Sequence, residues 1–228
     1  MSADTGTSAP AAPSTTPQPR GRAARGKLVN PNSLTLTLVI SALAVVVNVV
    51  GGTLVGLLAI PFLFLDTIGT FFVSAVFGIR WGILVGVVSN LVLGVTASPS
   101  DIPFAIVQVA IAVIVGVIAN QWGYNWKTTP IAGIVVAIVA PLIGTAIAVA
   151  VFGGLTGGAA DVFVLWLENA GQSVFGAAFW PRLGSNLIDK ILTAFLVYGL
   201  IKAIPATLIK RRYRAKTETP AVEAAAAA

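Results

Sequence analysis

Ionisable and amide side chains are scarce in the apolar parts of this 228-residue chain, and their types and spacing decide what chemistry is open to it. Asp66 stands in Leu65-Asp66-Thr67-Ile68-Gly69-Thr70, shortly after Pro61 and half-way along an apolar run. Asn90 and Gln108 lie inside two further runs. Asn186, Asp189 and Lys190 lie in the last, with Asn186 and Lys190 four apart and so on one helix face. Another group, Trp166, Glu168, Asn169 and Gln172 with Trp180 and Arg182, falls between the last two runs. Amides read hydrogen-bonding edges and indoles stack on planar rings, so this set describes a small-molecule pocket with an apolar wall. So few charges favour a neutral, flat, polar guest. Two structural roles compete with this reading: Asp66 and Thr67 as caps of a short helix that restarts after Pro61, and Asp189 as the ion-pair partner of Lys190 or Arg182.

The same inventory excludes catalysis. With no cysteine and no histidine the chain lacks disulfides, thiolate nucleophiles, thiolate or imidazole metal ligands and the commonest general base. It also lacks a phosphate-binding Gly-x-x-x-x-Gly-Lys-Ser/Thr loop, a His-Glu-x-x-His, a Gly-x-Ser-x-Gly and a clustered carboxylate pair. No enzyme activity, cofactor or metal is expected.

The elements that must position these residues are membrane helices. The chain is 57% hydrophobic and 10% charged, against about 45–50% and 25% in soluble domains. An all-α, polytopic helical bundle follows, with apolar segments at about 34–51, 54–78, 82–97, 103–121, 130–152 and 185–209, each near the ~20 residues that cross the hydrocarbon. Residues 1–33, rich in proline, read as a disordered cytoplasmic tail, and 210–228 as a basic, alanine-rich second tail. No apolar core follows Met1 as a signal peptide requires, so the first run is expected to act as an uncleaved anchor. Ten of the fourteen basic residues flank the apolar block. Nucleic acid is not the expected partner, because these cations abut apolar runs and have no folded polar surface between them. They set topology and face the lipid bilayer. Six crossings put the first tail, Arg80, Lys127 and the second tail on one side, the cytoplasmic side of the plasma membrane. The opposite connections are then Gly51-Gly52, the Ser98–Asp101 turn and 153–184. That last stretch is too long for a turn and too polar for an ordinary span, so an outer-face cap or a re-entrant segment is expected there.

Small residues mark helix faces. Gly78, Gly82, Gly86, Asn90 and Gly94 repeat every four positions, as do Ala44, Asn48 and Gly52. Such rows let backbones approach closely in lipid, and packing within the bundle is the simplest use of the first row.

Leu65-Asp66-Thr67-Ile68-Gly69-Thr70, Phe77-Gly78-Ile79-Arg80-Trp81-Gly82 and Gly86-Val87-Val88-Ser89-Asn90-Leu91 together resemble the substrate-binding membrane subunits, or S components, of energy-coupling factor transporters. The likeness extends over most of 34–209. It implies a six-helix subunit that captures a vitamin or similar micronutrient from outside. It further implies partners, a transmembrane coupling subunit and two cytoplasmic ATPases that drive import. Family members dock on the coupling subunit through an alanine row on the first helix; Ala44, Asn48 and Gly52 occupy the matching row here. Two other readings remain: a membrane-embedded sensor or scaffold, which the short segment after the last run disfavours, and a stand-alone secondary transporter, for which inverted repeats with broken helices are expected.

Overall fold

The computed structural model describes residues 31–60 and 63–204, with side chains from 34 onward. Pro61 and the tails, apart from 31–33, lie outside the described residues. Seven α-helices follow one another: α1 (Pro31–Leu57), α2 (Ile68–Val76), α3 (Ile79–Thr96), α4 (Ala105–Trp122), α5 (Thr128–Phe152), α6 (Asp161–Asn169) and α7 (Val174–Ala203). A 3-10 turn at Pro99–Asp101 joins α3 to α4, and there is no strand among the described residues. Five helices, Leu34–Leu57, Ile79–Thr96, Ala105–Trp122, Thr128–Phe152 and Val174–Ala203, are long and apolar enough to cross a membrane. Their outward faces are those of a membrane bundle: Leu38, Leu43, Val47, Val50 and Leu54 of α1 and Ile188, Leu192, Leu196 and Leu200 of α7 are exposed, an arrangement stable in lipid and not in water.

The expected boundary at Gly51-Gly52 is corrected. α1 continues through both glycines to Leu57, and they serve close approach instead of a turn. A Cβ on Gly51 would stand 2.4 Å from the Leu65 carbonyl oxygen, and one on Gly52 would stand 3.3 Å from the Asp66 Cβ. α1 ends in a reversal with Ala59 left-handed (φ 48°), the Ile60 N–H donating to the Val55 carbonyl at 3.2 Å and the Ala59 N–H to the Gly56 carbonyl at 3.2 Å. That crossed pair is the Schellman closure.

The run at 54–78 is divided, in line with a short helix that restarts after Pro61. Residues 63–67 are not helical, and α2 has only nine residues. The non-helical stretch reaches at most ~16 Å and α2 adds ~14 Å. It runs antiparallel to α1: Leu65 lies by Gly51, Asp66 by Gly52 and Gly69 by Ala44, where a glycine Cβ would fall 2.2 Å from the Ala44 carbonyl oxygen.

Close contacts continue the alternation: Gly82 meets Ser74, Gly86 meets Thr70 and Gln108, Gly116 meets Ile79, Gly144 meets Phe104 and Gly133 meets Ala194. The four-residue glycine row of α3 therefore packs inside the bundle, as the simpler reading held. One end of the molecule, here the near end, holds the start of α1 and carries exposed Arg80, Lys127 and Lys202. The far end holds Asp101, Asp161 and Glu168. α7 starts at Val174, not at 185, so the stretch between α5 and α7 is only 153–173; it contains α6, whose Val164 is buried with Ala177 and Ala178 of α7.

Candidate functional site

The backbone of 63–69 accounts for three of the buried polar side chains, Asn48, Gln108 and Asp189. Non-helical backbone at membrane depth needs partners from neighbouring elements. Asp189 of α7 supplies two: its Oδ1 accepts the N–H groups of Phe64 at 3.0 Å and Leu65 at 3.1 Å. Gln108 of α4 donates through Nε2 to the Asp66 carbonyl at 3.0 Å. Asn48 of α1 accepts the Gly69 N–H through Oδ1 at 2.7 Å. The first turn of α2 is thus capped by Asn48. Thr67 occupies the N-cap position and makes no side-chain cap bond, and Asp66 caps nothing; the capping expected of that pair is replaced by an amide from another helix.

Two connected networks result. In the first, the Asn48 amide also donates to Thr70 Oγ1 at 3.0 Å and Ser89 Oγ at 3.1 Å, and the Thr70 hydroxyl donates to Gln108 Oε1 at 2.8 Å. Asn48 is fully buried. Ala44, Asn48 and Gly52 therefore face the interior against 65–70, a correction to their assignment as a surface for docking a coupling subunit. The outward face of α1 is instead aliphatic.

The second network is ionic. Lys190 Nζ donates to Asp189 Oδ2 at 2.6 Å and to Thr67 Oγ1 at 3.0 Å, lies 3.6 Å from Asp66 Oδ1, and stands 5.5 Å above the Phe64 ring. Burying an ammonium is costly unless it is paired and hydrogen-bonded; here one carboxylate pairs with it tightly and the other loosely. The Asp66 side chain is 27% exposed, whereas that of Asp189 is fully buried. Nearby, Asn90 Nδ2 donates to the Asp101 carbonyl at 2.8 Å. Burial, reinforced by the Asp66 charge, pushes the Asp101 carboxyl up to about 6.

The remaining candidates separate from this cluster. Asn186 turns back along α7 and donates to the Arg182 carbonyl at 2.8 Å. Arg182 pairs with Asp161 at 3.9 Å, so the Asp189 partner is Lys190. Trp166, Glu168, Asn169 and Gln172 lie on α6 and the turn after it. Trp166, Asn169 and Gln172 are exposed, and α6 packs against α7. Two concavities also lie elsewhere: an apolar groove of about 470 Å³ on the outer side of α7, lined by Leu187, Ile188, Ile191, Leu192 and Phe195, and a small cleft between Ser74 and Asn120. Thr70, Ser89 and Asp101 were not singled out from sequence. Thr70 and Ser89 carried a signal nonetheless, as hydroxyls inside the segments Leu65–Thr70 and Gly86–Leu91 that also hold Asp66 and Asn90.

No known protein family, curated protein or solved structure matches the chain.

Proposed function

We propose that this protein is the substrate-capture subunit of a micronutrient importer of the energy-coupling factor type, binding a small polar organic molecule from outside. A transmembrane coupling subunit and two cytoplasmic ATPase subunits would supply the energy. The observation that supports it is Asp66: an ionisable side chain in the interior of an apolar bundle, only loosely compensated by Lys190 at 3.6 Å and 27% exposed toward the far end. Ionisable residues kept inside hydrocarbon are by default functional, and this one is reachable.

In this reading 63–76 is a sixth, discontinuous crossing, whose greatest reach of ~30 Å just matches the hydrocarbon thickness. The near end, with Arg80, Lys127 and Lys202, is cytoplasmic by the positive-inside rule, both tails lie there, and the acidic far end faces outward at the plasma membrane.

One observation favours a stand-alone secondary transporter, namely the discontinuous segment itself, because such transporters build sites from broken helices. A second copy of that segment is missing among the described residues. Purified protein in detergent, heated with vitamins and nucleosides, tests the proposal. Saturable stabilisation by one compound, lost in Asp66→Asn, supports capture; proton- or sodium-driven flux through the lone reconstituted chain refutes it and supports the transporter.

A further inference from the structure

Lys190 does not neutralise its two carboxylates equally. Its ammonium lies 2.6 Å from Asp189 but 3.6 Å from Asp66, and Asp66 Oδ1 accepts no hydrogen bond although it is withdrawn from solvent. A second such acceptor lies on α3. Asn90 is 3% exposed, and because its Nδ2 must face the Asp101 carbonyl, its amide orientation is fixed and Oδ1 is left buried without a donor. A buried acceptor without a donor is expensive. The third member is the Asp101 carboxylate, close enough to Asp66 for the two charges to repel. All three gather at the far end of α3. Asp66 packs at Gly52 beside Leu93, three residues along α3 from Asn90, and the Asn90 amide is bonded to Asp101.

The patch therefore offers three acceptors, and Lys190 is its one cation. Counting Asp66, Asp101, Asp189 and Lys190, its formal charge is −2. An anion would be repelled. No group of acidic residues among those described is placed to hold a metal ion.

We propose that the mouth formed by Asp66, Asn90 and Asp101 receives a cationic nitrogen group of the substrate, an ammonium or amidinium, with the two carboxylates and Asn90 Oδ1 as its acceptors. This rests on the capture role proposed above and narrows the substrate to an organic cation, in place of the neutral guest expected from sequence. A donor with several N–H groups satisfies the Asp66 and Asn90 oxygens together, and its charge relieves the repulsion between Asp66 and Asp101.

The test uses three flat compounds of one shape and different charge, benzamidinium, benzamide and benzoate, added at equal concentration to the full chain in detergent. The vitamin and nucleoside panel is run alongside. Benzamidinium alone should raise the melting midpoint, and Asp66→Asn and Asp101→Asn should each weaken its apparent affinity at least tenfold. Asp101 lies in a connecting turn, so its variant serves if Asp66→Asn does not accumulate. Equal stabilisation by benzamide, no stabilisation by benzamidinium, or a cation effect unchanged in the Asp101 variant overturns the inference. A neutral or anionic vitamin that binds saturably overturns it while leaving capture intact, whereas a panel without any binder removes the capture role as well.

Discussion

At the scale of single residues, Lys190 and Asp189 form the unit on which the interior depends. Removing the ammonium alone leaves a fully buried carboxylate that still accepts two backbone N–H groups, and breaking a buried pair from one side costs about 3–5 kcal/mol. Asparagine at 189 keeps an oxygen for the N–H groups of Phe64 and Leu65 while discarding the charge. Lys190→Met should therefore lower the melting midpoint strongly, and the double variant Asp189→Asn/Lys190→Met should recover much of that loss, a non-additivity that a double-mutant cycle in detergent reads directly. Additive losses would show that the two charges are not coupled. The sequence made Lys190 and Asp66 visible because charge in an apolar run is rare. It could not show which amides would be consumed: Gln108 and Asn186 look equally free in the sequence, yet one satisfies the Asp66 carbonyl and the other returns to its own helix.

At the scale of elements, the chain's glycines separate into close approaches and open positions. Gly69 meets the Ala44 backbone, where an added Cβ would fall 2.2 Å from the carbonyl oxygen, while a Cβ on Gly56 would meet nothing within 4 Å. Backbone cannot move aside as a flexible side chain can. Gly69→Ala is expected to destabilise by about 1–3 kcal/mol through overpacking, and Gly56→Ala to be neutral or to stabilise by up to about 1 kcal/mol through helix propensity. Thermal unfolding of the two variants in one detergent checks the contrast, and equal effects would refute it. Helices α3, α4 and α5 were legible because each is an uninterrupted apolar run with a loop signal at both ends. The end of α1 was not, since Gly51-Gly52 reads equally as a turn and as a contact, and only the placement of Leu65 and Asp66 against α1 decides. The start of α7 was hidden for a related reason. Arg182 makes 174–184 look too polar to be helix, but its guanidinium is absorbed by the Ala178 and Gly154 carbonyls and Asp161.

At the scale of the whole molecule, charge and aromatic residues are sorted along the bundle axis. Arg80, Lys127 and Lys202 mark the near end with exposed Trp122 and Trp126; Asp101, Asp161 and Glu168 mark the far end with exposed Trp166 and Trp180. Two aromatic girdles at opposite ends are what the two membrane–water interfaces select. Because the chain has no cysteine, single-cysteine variants report topology without background. In intact cells an impermeant maleimide should label Gly157→Cys at the far end and leave Lys127→Cys at the near end unlabelled until the membrane is permeabilised. The reverse pattern would invert the orientation. The bundle and its polarity were legible from composition and basic residues alone, whereas the division of the polar set into an ionic cluster and a separate α6 group was not, because sequence separation says nothing of which helix faces meet. The link from Asp189 to Phe64 and Leu65 has a mechanical consequence. It ties α7 to the chain that displays Asp66, so α7 cannot slide or tilt without tugging the mouth, and force applied to one helix is felt at the point where a guest would sit.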